Sequence, residues 1–400
     1  MRRAVRHGGP PNRDGLSLTR PAGLAIAAGA ASVLPGFLVG VLALQIRDDL
    51  DVGVTAVAAG VTVFFAAGAL GAGAGGRLAE RVGALSAMRG CLLATAALLT
   101  VASLAPNLAL LLLPLALAGA ANSVCQPAIN LFLADQVPRG RQGLAFGVKQ
   151  TAIPGALLVS GLALPLVALP LGWRPTMGIC AAGALAVGVV VGKSAGGFAP
   201  AEQREPPPPP DRALVAAAVG AALGSAGPCA LGAYLVASGV DAGIGEGTAG
   251  VLAAAGSAAS LAVRIAFGLR ADRRADYGFA MVVALLASGS LGFALLATGA
   301  VLPFVAGTLL AFALGWGWPG LFNLAVVEAN RHAPGAATGV TQTGIYVGAA
   351  GGPAAFGIIA TEAGYGTAWA VSGALLLLAA ATFAYAERVA RPLSKSKVYP

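Results

Sequence analysis

Apolar runs of about 20 residues recur along the whole chain, and that is the length a helix needs to cross a hydrocarbon layer ~30 Å thick. Twelve can be marked, at 22–45, 54–76, 84–105, 108–133, 144–169, 174–192, 213–238, 247–268, 278–300, 302–327, 336–360 and 367–386. Inside lipid each backbone N–H and C=O must be bonded within its own segment, so such runs become helices. The chain is 57% hydrophobic and 10% charged, whereas a soluble domain carries roughly 25% charge. Too few polar residues remain to coat a water-facing surface, which excludes a large soluble core. The 58 glycines suit membrane helices that approach through small faces. The expected fold is all-α and polytopic, with twelve transmembrane helices.

Those helices fall into two related sets. Gly147-Val148-Lys149-Gln150-Thr151-Ala152-Ile153 matches Gly339-Val340-Thr341-Gln342-Thr343-Gly344-Ile345 at five of seven positions, 192 residues further on. The same offset carries Gly76, Ala79 and Arg81 onto Gly268, Ala271 and Arg273, and Glu80 onto Asp272. It brings Pro35-Gly36 within one residue of Gly227-Pro228. A doubled apolar chain of this kind builds two pseudo-symmetric six-helix bundles around a shared central site.

Charge placement sets the expected topology. The net charge is +9, which invites a nucleic-acid reading, but the cations follow the spans instead. With residue 1 inside, 23 of the 25 Lys and Arg lie at the inner ends and loops, and only Arg47 and Arg174 lie outside. Arg264 is counted among those inner-end cations. Positive-inside asymmetry of this size places both termini in the cytoplasm of a cell-membrane protein. Pro206 to Pro210 cannot continue a helix and favour an extended strut. The organisation read from this is a cytoplasmic tail 1–20, a first bundle 21–194, a proline-rich linker 195–212, a second bundle 213–390 and a tail 391–400. The run from Pro21 to Leu44 is too long for a signal peptide and is taken as a retained helix.

After the second run stands Gly76-Arg77-Leu78-Ala79-Glu80-Arg81-Val82-Gly83. This loop resembles the G-x-L-a-D-R-x-G signature between spans two and three of the major facilitator superfamily. Gly268-Leu269-Arg270-Ala271-Asp272-Arg273 stands after the eighth run, where that family repeats it. Glu80 departs from the pattern, which usually has Asp, and keeps the charge on a longer arm. The resemblance implies a secondary transporter that works by alternating access, as a monomer. It also implies a gating role for Gly76, Glu80, Arg81, Gly83, Gly268, Asp272 and Arg273. A carboxylate among arginines at a membrane edge is physically suited to such a latch. The stretch Gly147 to Pro154 also resembles the fifth span of cyanate-transporter-like bacterial members.

Several polar residues inside the runs are candidate contacts for a small-molecule cargo. Lys149 stands about five residues into span 5, or about 8 Å past its start at 1.5 Å per residue. A charge so placed either faces a cavity or snorkels to the headgroups. Asn122, Gln126 and Asn130, spaced by four, share one face of span 4, with Pro127 interrupting the ladder beside them. Gln150 and Gln342 are the duplicated amides, and Tyr346 shares the face of Gln342. Span 10 adds Trp316, Trp318 and Asn323. Each has a structural alternative in inter-helix packing or hydrogen bonding.

No carboxylate falls in the middle of any span, since Asp135 and Glu328 lie at span ends. That lack disfavours a proton-driven drug exporter. One cation, Lys149, at the border of a polar cavity suits a small organic or inorganic anion as the expected cargo, with or without a coupled proton. Efflux of hydrophobic compounds or drugs is the alternative. Gly71, Gly73 and Gly76 fit G-x-G-x-x-G but lie within a membrane helix, so no nucleotide site is expected. Cys91, Cys125, Cys180 and Cys229 stand singly in apolar runs, and His7 and His332 outside them. Neither set indicates a metal, a cofactor or an enzyme. Reporter fusions along the full chain are expected to show an even number of crossings, with both ends on the side of the 195–212 linker. An odd number, or ends on opposite faces, overturns the topology.

Overall fold

The computed structural model of the chain describes residues 19–137, 148–193, 210–271, 279–330 and 334–395. Most of the two tails and of the linker therefore lie outside the described residues, as do Gly147, Asp272 and Arg273. No strand occurs among the described residues. Span 1 is the helix Thr19–Val41, extended by Ala43–Leu50. Span 2 is Val54–Val82, span 3 Ala84–Ser103 and span 4 Leu108–Gln136. Span 5 runs from Ala152 to Leu171 and widens to a π-turn over Leu164–Ala168. Span 6 is Trp173–Lys193.

The second half repeats the order. Span 7 is Arg212–Asp241, span 8 Glu246–Ala271 and span 9 Ala280–Leu296. Span 10 is broken into Val301–Leu310, a π-turn at Ala311–Gly315 and Pro319–Ala329. Spans 11 and 12 form the unit Pro334–Lys395, bent at Gly364 with φ +82°. That angle lies in the left-handed region which glycine enters without a Cβ clash. Among the described residues these make twelve helical spans, the number the apolar runs foretold.

Two details differ from the sequence reading. Lys149, expected inside an unbroken span 5, is separated from the helix that begins at Ala152 by a turn at Gln150 and Thr151. The second concerns the charged motif. Residues 76–82, expected to form a loop, continue the helix of span 2 to Val82. Helix formation is opposed only at Gly83, which takes φ +87° and accepts the turn into span 3. The charged motif is thus a helical extension ending in a glycine hinge.

Small residues set how closely the helices pack. Gly344, Gly348 and Gly352 form a stripe along span 11, and a β-carbon there would stand 2.1, 1.9 and 2.2 Å from the carbonyl oxygens of Ala218, Ala222 and Ala226 on span 7. In the first half the equivalent meeting of spans 1 and 5 is at Gly29, whose β-carbon would lie 2.9 Å from that of Ala152. Ala152 is the sequence partner of Gly344 at the 192-residue offset. The doubling is therefore visible in packing as well as in sequence.

Between the halves, spans 1 and 7, 2 and 11, and 5 and 8 pack together. Toward the end of the molecule opposite Gly83 the seam is tight. A β-carbon on Gly40 would stand 2.3 Å from the Gly232 oxygen, and one on Gly161 2.7 Å from the Gly250 oxygen. Thr55 and Thr361 share a hydroxyl hydrogen bond of 3.2 Å across it. At that end Arg174 ties three turns of the first half together. It donates to Asp49 Oδ2 at 2.6 Å and to the Ala105 oxygen at 2.9 Å, and it lies over the Trp173 ring.

Gly348→Ala is expected to lower the melting temperature of the purified protein, because overpacking of a close backbone contact costs about 1–3 kcal/mol. Gly351→Ala, with nothing within 4 Å of the added carbon, is expected to hold or raise it. Scanning calorimetry in detergent on both variants decides whether the stripe sets the packing.

Candidate functional site

The polar residues of span 4 lie where helices of the first half converge. Asn122 is buried, and its Oδ1 accepts from Ser32 Oγ at 3.0 Å and from Gln126 Nε2 at 3.2 Å. One helical turn beyond Gln126, Asn130 Oδ1 accepts from Lys149 Nζ at 2.8 Å. The stripe expected from the spacing of four is thus present, joined to span 1 at one end and to the start of span 5 at the other. Lys149 is 7% exposed. It is held inward by Asn130 and does not reach out to solvent.

Gln150 and Thr151 form a turn just before the span 5 helix. Pro154 stands four residues after Gln150 and has no N–H, so the Gln150 carbonyl loses its usual helical donor. That donor is replaced from the other half: Arg264 Nη1 of span 8 bonds to the Gln150 oxygen. The same guanidinium donates through Nε and Nη2 to the Trp316 oxygen, at 3.1 and 2.6 Å. Trp316 lies in the break of span 10, just before Pro319, and its carbonyl also accepts from Ser260 at 3.4 Å. Arg264 therefore joins two interrupted helices, one from each bundle.

Arg264 escaped the sequence reading, which placed it among the cations of span ends. It is 6% exposed and lies seven residues before the last helical residue, Ala271, or about 10 Å into the helix at 1.5 Å per residue. The signal was there: Ser257, Ser260 and Arg264 share one helical face, and all three are buried. Neither Arg264 nor Lys149 forms an ion pair with a described carboxylate. The ion pairs found among the described residues, Arg47–Asp48 and Arg174–Asp49, lie at the opposite end of the molecule.

Beyond these cations the seam is aromatic. Phe37 of span 1 meets Trp316 edge-on at 5.7 Å between ring centres, and Phe65 of span 2 at 5.5 Å. Phe65 lies 6.5 Å from Tyr346 of span 11. Tyr346 is 4% exposed, and its hydroxyl stands beside Asn122 without a hydrogen bond of normal geometry. Trp318 instead packs inside the second half, against Phe322 and Phe383. Gln342 and Asn323 are half-buried. The structure does not bring the Gln150 and Gln342 side chains into a hydrogen bond with each other.

Of the motif residues, Glu80 and Arg81 are exposed at the end of span 2, Gly83 is buried in the turn, and Gly268 is half-buried near the end of span 8. Their counterparts Asp272 and Arg273 lie outside the described residues. All four cysteines are free and buried. No cluster fit to hold a metal occurs among the described residues.

Replacing Asn130 by Leu strands the Lys149 ammonium in a dry site. A loss of about 1–3 kcal/mol is expected, the cost of a buried donor without its partner. The double variant Asn130→Leu/Lys149→Met removes both groups and is expected to recover most of it. Unfolding midpoints of the three proteins measure this.

No curated protein is similar enough to the chain to mark a relationship. Among solved structures, a bacterial homolog to the human lysosomal transporter Spinster, in an inward-facing and unoccupied conformation, superposes with a TM-score of 0.72 at 12% identity, covering 97% of this chain and 100% of that one. The same kind of protein in an inward-facing and occupied conformation gives 0.71 at 14% identity, covering 95% and 98%. At such identities the likeness is one of fold. The family model described as Major Facilitator Superfamily matches residues 24–353, and with the two six-helix halves and the seam between them this shows that the chain belongs to the major facilitator superfamily.

Proposed function

We propose that the chain moves a small anion across the plasma membrane by alternating access, with Lys149 and Arg264 as the cations that receive it. The observation that carries this reading is the pair of buried cations, one in each half, without a described carboxylate beside either. A cation buried within a membrane-spanning bundle is costly unless it is paired or hydrogen-bonded. A carboxylate partner would relieve that cost permanently and block the site. Amide and carbonyl partners satisfy the donors while leaving the charge uncompensated, so an arriving anion still gains from it.

The halves offer a route for the rocking motion. Positive-inside asymmetry places the Gly83 end in the cytoplasm, together with both termini. The glycine contacts at Gly40 and Gly161 and the Thr55–Thr361 bond then close the outer seam, while Arg264 joins spans 5 and 8 in the inner half. Opening inward breaks the Arg264–Gln150 contact, and opening outward separates the glycine pairs. Glu80 and Arg81, with Asp272 and Arg273, serve as the cytoplasmic latch. Substrate contact extends to Asn122, Gln126, Asn130, Gln150, Gln342, Tyr346, Asn323 and Trp316. A proton carried with the anion is one form of coupling that needs no buried carboxylate.

The test is uptake into proteoliposomes of radiolabelled acetate, benzoate, nitrate and cyanate. Removing one charge-assisted bond at a buried site costs about 1.5–3 kcal/mol, so Lys149→Gln and Arg264→Gln are each expected to lower uptake about tenfold or more. Lys149→Arg should retain part of it. Transport of lipophilic cations or neutral drugs, undiminished in both Gln variants, would instead establish the efflux reading that the aromatic seam favours.

A further inference from the structure

We infer that the anion is a carboxylate with a flat, apolar body, of the aromatic monocarboxylate class, rather than an inorganic ion. This rests on the anion reading above and narrows it.

The first ground is the shape of the donor. Arg264 already presents Nε and Nη2 side by side to a single carbonyl oxygen, that of Trp316. Two parallel N–H groups match the two oxygens of a carboxylate better than they match one oxygen. A carboxylate can therefore take this edge of the guanidinium from the carbonyl, which keeps the Ser260 hydroxyl as its donor.

The second ground is what adjoins the fork. Trp316, whose carbonyl Arg264 holds, carries its indole into a chain of rings. Two of those rings belong to the first half, Phe37 and Phe65, and two to the second, Trp316 and Tyr346. The contacts Phe37–Trp316 and Phe65–Tyr346 cross the seam, so rocking of the halves must part them. Parted rings expose apolar faces, and a flat apolar body inserted between them covers those faces again. An inorganic anion needs polar neighbours on every side and would leave the rings uncovered.

The third ground is the Tyr346 hydroxyl, which is buried, stands beside Asn122 and makes no hydrogen bond of normal geometry. Phenylalanine would pack in its place without the cost of a dry, unbonded hydroxyl. A ligand oxygen in the seam would accept a hydrogen bond of that geometry.

The experiment is equilibrium binding of radiolabelled benzoate to the full-length protein in detergent, competed with acetate, nitrate and the neutral isostere benzamide. Benzoate is expected to bind about tenfold more tightly than acetate or nitrate, a ring-contact gain of ordinary size, and benzamide not to compete. Trp316→Leu should bring benzoate down to the level of acetate, and Phe37→Leu tests the same wall if that variant is not monodisperse. Tyr346→Phe should weaken benzoate while keeping or raising the melting temperature. Equal affinity for nitrate, acetate and benzoate overturns this inference and leaves the anion reading standing. Binding of benzamide as tight as benzoate, or no binding of any anion, overturns both. A loss of acetate affinity in Trp316→Leu as large as that of benzoate marks the indole as mere support for Arg264 and also overturns the ring assignment.

Discussion

Inside a bilayer a backbone carbonyl without a donor has no water to turn to, and the centre of this protein is organised by two such carbonyls. Pro154 withholds its amide from Gln150, and the break before Pro319 withholds one from Trp316. Both groups point at the same guanidinium. Because Gln150 and Trp316 belong to different halves, the repair of two broken helices becomes a connection between the bundles. A helix defect, a buried cation and a joint between moving bodies are one feature.

That arrangement explains why the seam has two characters. Toward the end that holds Thr55 and Thr361 its closeness comes from the absence of side chains: Gly40, Gly161, Gly232 and Gly250 let backbone meet backbone. Such contacts are numerous, individually weak and easily remade. Toward the Gly83 end it depends on a charged fork with directional bonds. Between these lie the rings of Phe37, Phe65, Trp316 and Tyr346, which hold neither half by polar bonds. A carrier must break its seam at each end in turn, and the chain uses a different physical device at each.

The two halves share a sequence ancestor but no longer share chemistry at the centre. Lys149 corresponds to Thr341, and Arg264 corresponds to Ala72, at the same 192-residue offset. The cations stand on span 5 of one half and span 8 of the other, which are neighbours across the seam. The repeated frame thus carries two charges at positions whose counterparts at the 192-residue offset are uncharged.

Sequence alone determined the class and plan of this protein. Apolar length can be read without coordinates because lipid imposes it on every span, and the repeat at fixed offset because it is written in the residue order. The stripe Asn122–Gln126–Asn130 was legible for the same reason, since helical period is local. What only the tertiary structure decided was which charges were buried. By sequence Lys149 could face a cavity or snorkel; the structure shows a buried ammonium bonded to Asn130, nineteen residues away on another helix. Arg264 read as an end cation because its partners are backbone carbonyls, 114 and 52 positions distant, and a carbonyl carries no side-chain signature. Burial depends on which helices meet, and that is a property of the assembled bundle rather than of any one segment.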